Sequence, residues 1–220
     1  MDKGVSFGGA LFSVGQFSIG AFDYYCDDVI NIAYAEAKYT VRVTQKLGLL
    51  LAAQFTDQRS VGEDLLNGTS FSVNQVGVNT EMSYGGAVFT LAFTADSSGA
   101  DLQNPWSSYP GYTSVQVEHF NHASESAFRV KGSYDFTGLG LEGVTAYTLF
   151  SHGWGRVNPS TNAPVPNENE WDVDLQWRPK WKFFKGLWFR TRYALVEQSE
   201  GPKNPIQKLR VIVNYDSGLL

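Results

Sequence analysis

Arg190 and Arg192 stand two residues apart, and Arg210 follows in the next apolar stretch. In an extended strand a spacing of two puts side chains on one face. A guanidinium grips a carboxylate through two parallel hydrogen bonds. The same alternation adds Arg42, Arg129, Lys131, Arg178 and Lys208 to this face, together with the acids Glu36, Glu81, Asp135, Asp172 and Asp174. The basic excess is greatest in the last two strands, where Arg190, Arg192 and Arg210 form a cluster. Two roles fit such a face. A row of weak cationic sites passes a small anion along a pore. Alternatively, the arginines pair with Asp172, Asp174 or Asp135 and brace a wall.

Other chemistry is sparse. There is no nucleophile-elbow motif, no phosphate-binding glycine loop and no pair of cysteines, so an enzyme is not expected. Cys26 is single, which excludes an intramolecular disulfide. His119, His122 and His152 all fall near the external rim and read as unpaired solvent histidines, with metal binding the smaller alternative and no metal or cofactor expected. Asp27-Asp28 and Glu63-Asp64 read as solvated loop charges, with divalent-cation or lipopolysaccharide bridging the smaller alternative. A long loop, 96–124, carries Trp106, Tyr109, Tyr112, Glu118 and His119. Its aromatic content favours folding inward, where Tyr109 and Tyr112 would narrow a passage.

The elements that must position these groups are strands. Trp171, Val173, Leu175 and Trp177 alternate with Asp172, Asp174, Gln176 and Arg178. Phe128, Val130, Tyr134 and Phe136 likewise oppose Arg129, Lys131, Ser133 and Asp135. Such period-2 alternation marks strands with one polar and one apolar face. It recurs in eleven segments, near 5–12, 16–25, 29–42, 47–57, 70–84, 87–95, 125–136, 141–152, 168–179, 185–198 and 206–216. In 141–152 the two faces cannot be told apart.

Connections alternate in length. Those near 13–15, 43–46, 85–86, 137–140 and 180–184 are short, those near 58–69, 96–124 and 153–167 are long, and those near 26–28 and 199–205 are shorter but share the parity of the long ones. Sorting by parity predicts an antiparallel up-and-down transmembrane β-barrel, with tight periplasmic turns and long external loops. The outward aromatics then form two rows. Tyr39, Tyr84, Phe136, Trp177 and Tyr215 lie at the periplasmic end, and Phe55, Phe93, Phe128 and Trp171 at the external end. From Trp171 to Trp177 the strand runs roughly 20 Å at about 3.3 Å per residue, which suits a thin bilayer. Composition agrees: apolar residues make up 43%, charged residues only 18% and aromatics 15%. A net charge of −5 argues against nucleic acid as a partner. No apolar run reaches the length of a transmembrane helix.

Single-chain bacterial barrels have even strand counts. An odd eleven, with no secretory signal at Met1, predicts one domain, 1–220, that lacks the N-terminal strands and signal peptide of a larger barrel.

Four stretches resemble the C-terminal part of the OprD-type porin family of Gram-negative outer membranes. They are Trp106-Ser107-Ser108-Tyr109-Pro110-Gly111-Tyr112-Thr113, Phe120-Asn121-His122-Ala123-Ser124-Glu125-Ser126-Ala127-Phe128, Gly186-Leu187-Trp188-Phe189-Arg190-Thr191-Arg192-Tyr193-Ala194 and Leu209-Arg210-Val211-Ile212-Val213-Asn214-Tyr215-Asp216. The resemblance implies an 18-stranded monomeric barrel, inward-folded loops at a constriction and a ladder of basic side chains on one wall. It also implies passive, selective diffusion of carboxylates, amino acids or similar solutes. His122, Ser124 and Phe128 depart from the family's Arg, Gly and Trp at those places. The expected partners are outer-membrane lipid, lipopolysaccharide and small solutes, with a monomer or weak homo-oligomer as the assembly. The competing assignments are a soluble β-domain that binds a carbohydrate or apolar ligand, and a non-porin outer-membrane barrel.

Overall fold

The computed structural model describes residues 4–106, 111–184, 186–199 and 205–216. All eleven expected strands are present: β1 Val5–Val14, β2 Phe17–Cys26, β3 Ile30–Arg42, β4 Leu47–Arg59, β5 Ser72–Tyr84, β6 Ala87–Asp96, β7 Ser126–Asp135, β8 Val144–Trp154, β9 Glu168–Trp177, β10 Leu187–Gln198 and β11 Ile206–Tyr215. Each pairs antiparallel with its sequence neighbour in a single sheet ordered β1 to β11. Among the described residues, β1 and β11 are each paired on one side only. Gly15 and Gly85 take left-handed backbone at φ 57° in two of the tight turns, where a side chain would be strained.

The two faces of the sheet are inverted relative to a water-soluble protein. Gln54, Thr56, Gln58, Gln75, Asn79, Thr90, Thr94, Glu170, Asp172 and Asp174 are buried on the inner face. Leu51, Phe55, Val76, Val78, Leu91, Val173, Leu175, Leu209, Val211 and Val213 are exposed on the outer one. A sheet that hides amides and carboxylates while presenting aliphatic side chains has lipid on its outside. That arrangement removes the soluble alternative. Among the described residues the apolar core is small, formed by Cys26, Ile30, Phe71, Val73, Ala100 and Leu102.

Both aromatic rows are present. At the external end Phe93, Trp154, Phe128, Phe150 and Trp171 run ring to ring, in that order, at centroid separations of 4.4–6.3 Å. At the other end Trp177 stacks on Phe189 and meets Trp181. Phe136 sits in a 3-10 turn just past β7, edge-on to Tyr134. Val78 lies at the middle of β5 on the outer face, so Val78→Arg is expected to cost about 2–4 kcal/mol. Urea unfolding in lipid vesicles, followed by Trp fluorescence, measures this directly.

Pairing resolves the strand whose faces the sequence leaves undecided. Tyr147, Leu149 and Gly153 of β8 lie opposite Asp174, Asp172 and Glu168 of β9 and share their inward face. Phe150 and His152 point outward with Trp171. An inward leucine and an outward histidine break the hydropathy pattern, and only the neighbouring strand restores it.

Candidate functional site: the inner face and its folded loop

The loop between β6 and β7, in its described residues 97–106 and 111–125, lies against the inner face of the sheet, as its aromatic content and the family resemblance lead one to expect. It is held by side chains from six strands. The Tyr112 hydroxyl donates to Glu36 Oε1 of β3 at 2.7 Å, and the Thr113 and Thr94 hydroxyls lie 2.7 Å apart. Burial and the Glu36 carboxylate push the Tyr112 phenol up, which keeps it protonated as the donor. Arg129 of β7 donates to the Ser114 carbonyl at 3.2 Å. The amide of Gln116 donates to Asp172 Oδ2 at 3.2 Å. Those of Val117 and Glu118 donate to the two oxygens of Glu170 at 2.9 and 2.7 Å. Arg210 of β11 donates to the Gln116 carbonyl at 3.3 Å. Further back, Gln103 and Gln58 of β4 exchange two hydrogen bonds of 2.7 and 3.0 Å.

This short segment sets the curvature of the wall. Residues 112–116 can span only about 14 Å when extended. Flattened, β3 and β11 would lie about 38 Å apart, eight steps of roughly 4.8 Å. The sheet is therefore curved around the loop, with the charged side chains on its concave side.

The basic residues divide into three groups. Arg190 and Arg192 both pair with Asp174, at 2.8 and 2.9 Å, and Arg192 also reaches the Tyr147 hydroxyl at 3.1 Å. One carboxylate between two guanidiniums leaves a positive charge over. Arg210 lies directly opposite Arg192 in register and adds to it. Lys131 stands 4.6 Å from the centre of the Tyr147 ring, and Lys208 is exposed beside Arg210. Arg42 and Arg178 are exposed at the ends of β3 and β9, and Arg178 lies over the Trp188 ring at 5.2 Å.

The acids serve different ends. Asp172 holds the loop backbone. Asp135 accepts from the Thr137 amide at 2.9 Å and caps the 3-10 turn Phe136–Leu139, so it tightens a periplasmic turn. Glu81 remains half-buried on the inner face. Among the constriction candidates, Tyr112 and Glu118 anchor the loop. His119 Nδ1 lies 2.8 Å from Ser114 Oγ, and Trp106 is exposed. Tyr109 lies outside the described residues.

Sequence reasoning passed over Glu170. It lies two residues before Asp172 on the same strand face, so parity alone would have found it. It also passed over a cluster at the external rim. There Arg156 Nη1 pairs with Glu168 Oε2 at 2.6 Å, and both side chains are buried. Asp101 accepts from the Ala123 amide at 2.7 Å and lies 3.6 Å from His122 Nδ1. The contact with Asp101 raises the His122 imidazole, and His122 holds the Asp101 carboxyl down. Burial pushes Glu125 up to about 7, and burial with the Glu168 charge raises Glu118.

An antiparallel sheet with a polar concave face, a lipid-compatible convex face and a long loop folded against the inside is the wall of an outer-membrane β-barrel of porin type. The chain belongs to the OprD family of outer membrane porins, whose family model matches residues 2–219. It is therefore an outer-membrane protein. No curated protein matches the sequence. Several solved barrels from Pseudomonas aeruginosa share the fold. OccK1 (OpdK) superposes with a TM-score of 0.86 at 20% identity, over 96% of this chain and 56% of its own. OpdL gives 0.87 at 19% identity, covering 96% and 58%. OccK9 (OpdG) gives 0.85 at 19% identity, covering 98% and 57%. OpdK has also been solved with vanillate. The chain thus spans little more than half the length of these barrels, and the likeness to them is one of fold.

Proposed function

We propose that the chain forms much of the wall of a channel for passive, selective diffusion of small solutes, carboxylates and amino acids among them. The carrying observation is loop 97–125 strung from β3 to β11 across the concave face, beside Arg190, Arg192 and Arg210. A loop in that position narrows the passage, and unevenly neutralised guanidiniums beside it favour anions. Vanillate in OpdK is an aromatic carboxylate, the class that such a face suits. The role involves no catalytic step. Residues 1–220 act as one domain, as a monomer or weak oligomer among lipid and lipopolysaccharide.

Strands beyond these eleven close the barrel, because β1 and β11 would otherwise expose a row of unpaired amides and carbonyls to lipid. Each such group costs several kcal/mol in hydrocarbon.

The test is planar-bilayer recording of the protein purified from outer membranes. Discrete conductance steps are expected, with a reversal potential in a KCl gradient that reports anion preference. A folded, heat-modifiable protein that passes no current would sink the channel assignment. Steady conductance from the 220 residues alone would refute closure by additional strands.

A further inference from the structure

The cluster at the external rim joins the long loop to the start of β9. One carboxylate oxygen each from Glu118 and Glu168 and one ring nitrogen of His122 lie within 4.8 Å of one another. We propose that these three side chains bind a divalent transition-metal ion, Zn2+ or a close analogue, which fastens the long loop to the first residue of β9.

Three features beyond proximity carry this. The first is the support behind His122. Asp101 faces its Nδ1 at 3.6 Å and is itself held by the Ala123 amide. That leaves Nε2 for a metal, and a carboxylate on the Nδ1 side, here an ionic contact at 3.6 Å, is the kind of support that metal-ligating histidines use.

The second is charge. Asp101, Glu118, Glu125 and Glu168 share this rim with one guanidinium, that of Arg156. Arg156 satisfies one oxygen of Glu168 and orients it, and with His122 beside Asp101 the four carboxylates face one guanidinium and one imidazole. A divalent cation offsets most of that excess.

The third is Glu125. Its side chain is fully buried, and its Oε1 has no hydrogen-bond partner. This oxygen occupies the space that a side chain at Gly153 would fill, and Gly153 lies directly opposite Glu168 across β8 and β9. A buried carboxylate oxygen without a donor is costly. A cation held at Glu168 supplies the missing positive field.

The ligand set selects the metal class. One imidazole and two carboxylates suit a borderline ion, where an all-oxygen set would suit Mg2+ or Ca2+. Three protein ligands plus water make an open tetrahedral site. Donors around tetrahedral Zn2+ lie about 3.3 Å apart for bonds of roughly 2.0–2.1 Å. Glu168 is held by Arg156, so rotation of the Glu118 side chain and a shift of the loop carrying His122 close the difference.

Co2+ added to the folded chain in detergent is expected to give the visible d–d bands of a four-coordinate site, and equimolar Zn2+ should abolish them. Bands no stronger than those of hydrated Co2+ would overturn the proposal without recourse to any variant. Zn2+ affinity, read by competition with a chromophoric chelator, should fall at least 30-fold in His122→Asn. It should fall about 10- to 100-fold in Asp101→Asn, the usual effect of removing a supporting carboxylate. His119→Asn should bind as the parent does. An unchanged affinity in His122→Asn, with folding verified by heat modifiability, refutes the site. So does a loss in His119→Asn in its place.

Discussion

Replacing Glu170 and Asp172 together with alanine is expected to raise single-channel conductance roughly two- to fivefold, since ion flow follows the free cross-section of the pore. The two carboxylates accept the amides of Gln116, Val117 and Glu118 at 2.7–3.2 Å. Hydrogen bonds to charged acceptors contribute about 1.5–3 kcal/mol each, and three consecutive amides are released at once. Nothing else on β9 replaces them, because the next inward residue, Asp174, is committed to Arg190 and Arg192. The loop then hangs from Tyr112, Thr113, Arg129 and Arg210, and the stretch at Val117 and Glu118 is free to swing out of the passage. Tyr112→Phe removes one bond at the far end of the segment and should alter conductance little. Glu170→Gln with Asp172→Asn keeps acceptor oxygens but loses charge, so an intermediate value is expected. An alanine pair that folds and conducts as the parent does, with the same noise and the same protease resistance of the loop, would show that these carboxylates do not hold the constriction.

The second large effect concerns ion preference. Arg190→Glu with Arg192→Glu is expected to turn an anion-preferring pore cation-preferring, seen as a change of sign in the reversal potential. The substitution places two new carboxylates beside Asp174 and alters the local charge by four units. Repulsion then adds to the loss of attraction, and the buried Asp174 is left without a cation. Breaking a buried pair costs about 3–5 kcal/mol, so the variant must be shown to fold before its currents are read. Asp174→Asn avoids this difficulty and carries the opposite sign. It frees both guanidiniums while keeping the side-chain shape, and anion preference should rise. If both variants leave the reversal potential unmoved, Arg190 and Arg192 only brace the wall.

Much of the fold was legible in the residues because period 2 is a local property. Trp171 to Arg178 states its two faces within eight positions, and each face meets a different medium. Loop parity then ordered the strands without any knowledge of contacts. β8 resisted because Leu149 and His152 each stand on the face that hydropathy would not choose, and only pairing with β9 assigns them.

The site was legible in kind but not in detail. Alternation put Asp172 and Asp174 on one face with Arg190 and Arg192, but it did not separate their work. Asp174 meets arginines because the register sets Arg192 opposite it, whereas Asp172 meets backbone amides of a loop some 56 residues earlier in the chain. The same holds at the rim, where Glu118 and His122 come from one loop and Glu168 from the start of a strand. Outside β8, the sequence by itself determined which side chains face inward, because a strand turns each residue to the side opposite its neighbour. Which inward charges meet one another was decided only by the curvature of the sheet and the path of the loop. Hydrogen bonds and ion pairs act over a few ångströms in space and are indifferent to separation along the chain.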